Sequence, residues 1–133
     1  YQGRPMLIVN TASHCGFTPQ FSALEKIHRE YEDEGLAVIG FPSNDFNQEA
    51  GSESKAAKVC HINYGVTFTM LSPQRVKGAA ALPLFKHLAA ESQPPRWNFT
   101  KYLVSRDGVV THRFGSEVEP DARQVTAAIE SIL

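Results

Sequence analysis

The sequence predicts an α/β domain, a central mixed β-sheet flanked by helices in three α/β/α layers. Two patterns carry that expectation. Between Met6 and Phe41 an apolar run, an amphipathic helix and a second apolar run follow one another. A strand, a crossover helix and another strand make a right-handed parallel unit. Near the end, two β-rich runs flank Asp107-Gly108 and an amphipathic helix follows. That spacing reads as an antiparallel hairpin covered by one helix.

Taken in order, Met6 to Val9 is short, apolar and partly β-branched, as a strand buried on both faces should be. Thr18 and Pro19 predict a helix start, with an N-cap side chain and then a proline in the first turn. Phe21, Leu24, Ile27 and Tyr31 supply its apolar face, and Gly35 closes it. Leu36 to Phe41 is the second buried strand. Pro42 to Gly51 reads as polar loop, and about Ser52 to His61 as a short helix. Val66 to Leu71 is a third strand, and residues 72–81 form a loop around Gly78. Leu82, Phe85 and Leu88 mark a short helix with Pro83 in its first turn, and Glu91 to Arg96 is a compact connection. Tyr102 to Ser105 and Val109 to Phe114 form the hairpin. The last helix starts near Pro120 and buries Val125, Ala128, Ile129 and Ile132. A βαβ half joined to a ββα half is a thioredoxin-like outline.

The whole chain narrows the function. Its 133 residues suit one domain, expected over 1–133. Thirteen basic and 14 acidic residues are interspersed, so no basic stripe argues for nucleic acid. No apolar stretch approaches the roughly 20 residues of a membrane-spanning helix. The two cysteines, Cys15 and Cys60, are no disulfide framework, and no Cys/His cluster has metal spacing. Cysteine usage suits a reducing compartment, with the cytoplasm as the expected location. His14, His61 and His112 read as solvated or locally bonded residues.

Cys15 stands where a buried strand hands over to a helix N-terminus. That end of a helix carries about half a positive charge and unpaired N–H groups, which favour a thiolate. A free cysteine is also often a small buried hydrophobe, so the local setting alone leaves both readings open.

Further residues bear on the choice. Asn10-Thr-Ala-Ser-His-Cys-Gly-Phe-Thr18 resembles the catalytic-cysteine motif of the glutathione peroxidase family. Gly40-Phe-Pro-Ser-Asn-Asp-Phe-Asn-Gln-Glu-Ala-Gly51 resembles that family's second motif, and Trp97-Asn-Phe-Thr-Lys101 its third. The likeness continues through Tyr64 to Phe68 and into the final hairpin and helix, so it spans essentially the whole chain. It implies a catalytic tetrad of Cys15, Gln48, Trp97 and Asn98. The chemistry fits those residue types. A thiolate attacks one peroxide oxygen and becomes a sulfenic acid. Neutral amide and indole donors stabilise the thiolate without protonating it, and can also stabilise charge on the leaving oxygen. Each residue keeps a plainer alternative: Trp97 as a packing aromatic, Asn98 as a turn residue, Gln48 as a solvated loop residue. The loop bearing Gln48 is one residue shorter than the usual pattern, with Asp45 and Asn47 where a glutamine and a glycine are common.

The resemblance also implies a selenium-free enzyme without cofactor or metal, reducing hydrogen peroxide and organic hydroperoxides with an external thiol. Relatives that use thioredoxin resolve the sulfenic acid with a second cysteine after the glutamine motif, where Cys60 stands. The short Glu91–Arg96 connection resembles the monomeric, thioredoxin-preferring branch, with glutathione as the other reductant. The family usually carries an N-terminal β-hairpin ahead of Tyr1. The alternative function is a thioredoxin-fold peroxide sensor that relays a disulfide to a partner without detoxifying turnover. A Cys-x-x-Cys oxidoreductase is disfavoured, because Thr18 occupies the second cysteine position.

Overall fold

The computed structural model describes residues 3–11, 19–43, 66–71, 75–78 and 81–133. Its strands are β1 (Met6–Thr11), β2 (Ala37–Pro42), β3 (Thr69–Met70), β4 (Lys101–Val104) and β5 (Val110–Phe114). Its helices are α1 (Gln20–Tyr31), α2 (Pro83–Glu91) and α3 (Arg123–Ile132), with a 3-10 turn at Glu32–Glu34. The expected helix at 52–61 lies outside the described residues.

The strands form one five-stranded sheet in the order β3-β2-β1-β4-β5. β1 and β2 are parallel, with Met6 opposite Ala37 and Thr11 opposite Pro42. β4 runs antiparallel to β1, and β5 antiparallel to β4, so the sheet is mixed. Side chains alternate across a strand, and the two faces separate cleanly by position. Leu7, Val9, Val38 and Leu103 join Phe21, Leu24 and Ile27 of α1 and Val125 and Ile129 of α3 in one core. Ile8, Ile39, Phe41, Tyr102 and Val104 join Phe85 and Leu88 of α2 in the other. The expected three layers follow: α1 and α3 on one face, α2 on the other.

Several boundaries differ from expectation, and three of the differences have a hydrogen-bonding reason. Pro19 takes the position before α1, and the helix begins at Gln20 with Ser22 N–H bonded to the Pro19 carbonyl at 3.2 Å. Thr18 itself is outside the described residues. The run from Val66 to Leu71 pairs as a strand only at Thr69 and Met70. The Thr67 and Phe68 N–H groups go instead to the buried Glu25 carboxylate of α1, at 2.7 and 3.3 Å. The last helix starts at Arg123, because residues 119–122 form a turn closed by Ala122 N–H on the Glu119 carbonyl at 3.0 Å. The hairpin stands as expected. Gly108 adopts φ +84, a value glycine takes without a Cβ penalty, and Ser105 N–H meets the Val109 carbonyl at 2.9 Å. Gly35 closes the 3-10 turn after α1 at φ +99.

Candidate active site

In a sheet of this kind, ligands gather beyond the carboxyl ends of the parallel strands. β1 ends at Thr11, from which the chain enters the segment containing Cys15 and then α1. β2 ends at Pro42, from which it enters the segment containing Gln48. The two exits are tied together by Ser43 N–H on the Thr11 carbonyl at 3.1 Å. Cys15, Gln48 and Cys60 lie outside the described residues. What is described is the frame from which the first two are launched.

Trp97 and Asn98 are brought to that same end. They precede β4 in a turn fastened to the end of β1 by Phe99 N–H on the Asn10 carbonyl at 2.6 Å. Asn98 is completely buried, yet neither its amide nitrogen nor its amide oxygen has a hydrogen-bond partner. Leaving a buried polar group unsatisfied costs about 1–3 kcal/mol, so such a group marks a strained or functional position. The Thr11 hydroxyl, at the exit of β1, is a second buried orphan. Trp97 is 37% exposed and lines a cleft of about 360 Å³ with Arg96, Arg113, Gly115, Ser116 and Glu117. A half-exposed indole thus stands next in sequence to a buried, unpartnered amide.

Three groups behind the site escaped the sequence reading. Asn10 grips the Trp97 turn with its side-chain amide. Lys101, fully buried on β4, donates to the carbonyls of Gly115, Ser116 and Val118 at 3.1, 3.2 and 2.5 Å. Burial brings its ammonium down to about 7, against the upward pull of Glu119 and Glu117. Gln20, the first residue of α1, donates to the same Ser116 carbonyl at 2.7 Å. Lys101 and Gln20 thus hold the turn that forms one wall of the Trp97 cleft. Lys101 stands just before the expected Tyr102–Ser105 strand, and nothing there signalled its burial. Asn10 and Gln20 gave no signal beyond lying near Cys15. His112 is exposed and stacks on Phe114 at 5.9 Å, in keeping with the local role expected of it. No cluster of three or more metal-ligating side chains exists among the described residues.

The family model for glutathione peroxidase matches residues 1–89. Glutathione peroxidase of Lactococcus lactis subsp. cremoris is 47% identical over 127 residues, covering 91% of this chain and 81% of that protein. The chain belongs to the glutathione peroxidase family. The glutathione peroxidase homolog BsaA of Staphylococcus aureus strain MW2 is also 47% identical, over all of this chain and 87% of its own length. Hydroperoxy fatty acid reductase gpx1 of Synechocystis sp. is 42% identical over all of this chain and 85% of its own. Among solved structures, Trgpx in its apo form superposes with a TM-score of 0.78 at 33% identity, covering 99% of this chain and 82% of that one. A putative thiol:disulfide interchange protein DsbE from Chlorobium tepidum superposes at 0.70 with 18% identity, which speaks for the thioredoxin-like fold alone. By family, the chain is a peroxidase, an oxidoreductase. No described helix is long and apolar enough to cross a membrane.

Proposed function

We propose that this protein is a cysteine peroxidase in which Cys15 is the nucleophile and Gln48, Trp97 and Asn98 are its donors. The Cys15 thiolate attacks one oxygen of a hydroperoxide. A sulfur–oxygen bond forms as the O–O bond breaks, leaving Cys15 as a sulfenic acid. The departing alkoxide or hydroxide takes a proton and leaves as alcohol or water. Two electrons from thiols then return Cys15 to the thiol, releasing the second oxygen as water. The observation that supports this most is the buried Asn98 amide without a partner, in a turn bonded to the strand that leads into the Cys15 segment. An amide N–H in such a place can donate to a thiolate, and charge-assisted bonds are roughly twice as strong as neutral ones.

In the finer reading, Cys60 resolves the sulfenic acid as a disulfide with Cys15, and thioredoxin reduces it. The protein acts as a monomer on hydrogen peroxide and organic hydroperoxides, without selenium or metal. The name of the Synechocystis relative supports a lipid-derived hydroperoxide among the substrates. The six-residue path from Glu91 to Arg96, leading directly from α2 to Trp97, supports the thioredoxin-preferring branch.

The test is peroxide consumption with thioredoxin, thioredoxin reductase and NADPH, beside a glutathione-coupled assay. Turnover should be fast with thioredoxin, abolished in Cys15→Ser and stalled in Cys60→Ser. Wild-type rates in Cys60→Ser would remove the resolving role. Activity with neither reductant would sink the peroxidase reading.

A further inference from the structure

Asn10 is the last but one residue of β1 and has no exposed surface. Its Nδ2 donates to the Trp97 carbonyl at 2.9 Å, and its Oδ1 accepts from Thr100 N–H at 3.1 Å. With the Phe99 N–H on its own carbonyl, one residue brackets the turn that carries Trp97 and Asn98. The Thr100 hydroxyl adds a second bond to the Trp97 carbonyl at 2.9 Å.

The bracketed turn is strained. Phe99 has φ +61, the one positive φ among the described non-glycine residues. That conformation costs a bulky residue about 1–3 kcal/mol and persists only where the surroundings over-determine it. Here they do. The Phe99 ring is completely buried and meets the Phe21 ring of α1 edge-on, with centroids 5.1 Å apart. The bonds from Asn10 fix the residues on either side.

We infer that Asn10 is a positioning residue for the peroxidase reaction: its amide holds the Trp97–Thr100 turn in its strained form and thereby sets where the Trp97 and Asn98 donors stand. The same residue lies four positions before the segment's His14 and five before Cys15, so one side chain couples the nucleophile's strand to its donors. The inference rests on the reading of Trp97 and Asn98 as thiolate donors. It adds a residue that touches neither thiol nor peroxide.

Asn10→Asp separates this from a merely structural role. The new side chain keeps the shape and still accepts from Thr100 N–H. At neutral pH it sets a carboxylate oxygen against the Trp97 carbonyl; when protonated, it offers an O–H donor there again. A misplacement of about 1 Å at a catalytic group can cost about 10²-fold in rate. Peroxide turnover of the variant should therefore fall by up to about 10²-fold at neutral pH, and its ratio to wild type should recover as pH is lowered. Trp97 is the only tryptophan, so its emission reports the turn directly and should shift and return in parallel. Thr100→Val, which deletes the second bond to the Trp97 carbonyl, should give a smaller shift and loss in the same direction, and it decides the matter if Asn10→Asp does not fold. Folded variants with wild-type emission and turnover would overturn the inference, as would a loss that pH does not reverse. If the wild-type protein consumes no peroxide, the functional reading fails, while the emission measurement still decides whether Asn10 holds the turn.

Discussion

Lys101 places an ammonium where no solvent reaches it, and its three donors meet three carbonyls. A lysine in this position is harder to protonate in the fold than in the unfolded chain: about 7 against the ordinary 10.5. Between those two values the unfolded chain binds the extra proton, so stability rises with pH across that window. Below about 7 both states are charged, and the full cost of burying the ammonium is present. Lys101→Met removes the titration. The stability of wild type relative to this variant should therefore climb between about pH 7 and 10.5, measured by urea unfolding at several pH values. A difference that stays flat across that window would show that Lys101 keeps an ordinary proton affinity in the fold. Nothing in the local sequence marked this residue as buried, because spacing assigns a face and not a depth. Trp97 and Asn98 were legible only through the motif they share with a family. The grip of Asn10 was not legible at all, since its partners lie 87 and 90 positions away.

Elements were most legible where their causes are local. Asp107-Gly108 announced the hairpin because a two-residue signal determines a turn with φ > 0. The face of α1 was readable from Phe21, Leu24 and Ile27, because helical period and burial coincide there. β3 was overextended because Glu25, more than forty positions away, diverts the N–H groups that a longer strand would have paired. Glu25 also accepts from the Thr67 hydroxyl at 2.5 Å and from Arg29 Nε at 2.6 Å. Burial pushes this carboxyl up, but the bonds from Thr67, Arg29 and Phe68 outweigh it and hold it below the usual 4.5. A lowered carboxyl contributes stability that is present above the unfolded value and is lost as pH falls through the folded one. Glu25→Gln should cost about 1.5–3 kcal/mol at neutral pH, the range for hydrogen bonds to a charged group. The gap between wild type and variant should close on acidification below 4.5, followed by urea unfolding. An unchanged gap at low pH would mean that the clamp depends on shape and not on charge.

At the scale of the molecule, one sheet separates two cores, and the strained Phe99 belongs to the one beneath α1. Phe21 of α1 supports the strained Phe99 edge-on, and Phe99 lies next to Asn98. Leu88 of α2 belongs to the core on the other face and is equally inaccessible to solvent. Truncating either leaves a cavity in a close-packed interior, at a cost of about 2–5 kcal/mol for leucine and 3–5 for phenylalanine. Stability alone would therefore not tell the two apart. Position relative to the sheet should. Phe21→Ala removes the ring that supports the left-handed Phe99, so native Trp97 emission should shift and peroxide turnover should fall together with stability. Leu88→Ala should lower the urea midpoint by a comparable amount while emission and turnover in the folded protein stay at wild-type values. A shift of Trp97 emission in Leu88→Ala would show that the sheet transmits packing changes from one core to the other. The site would then depend on the whole molecule and not on the α1 face alone.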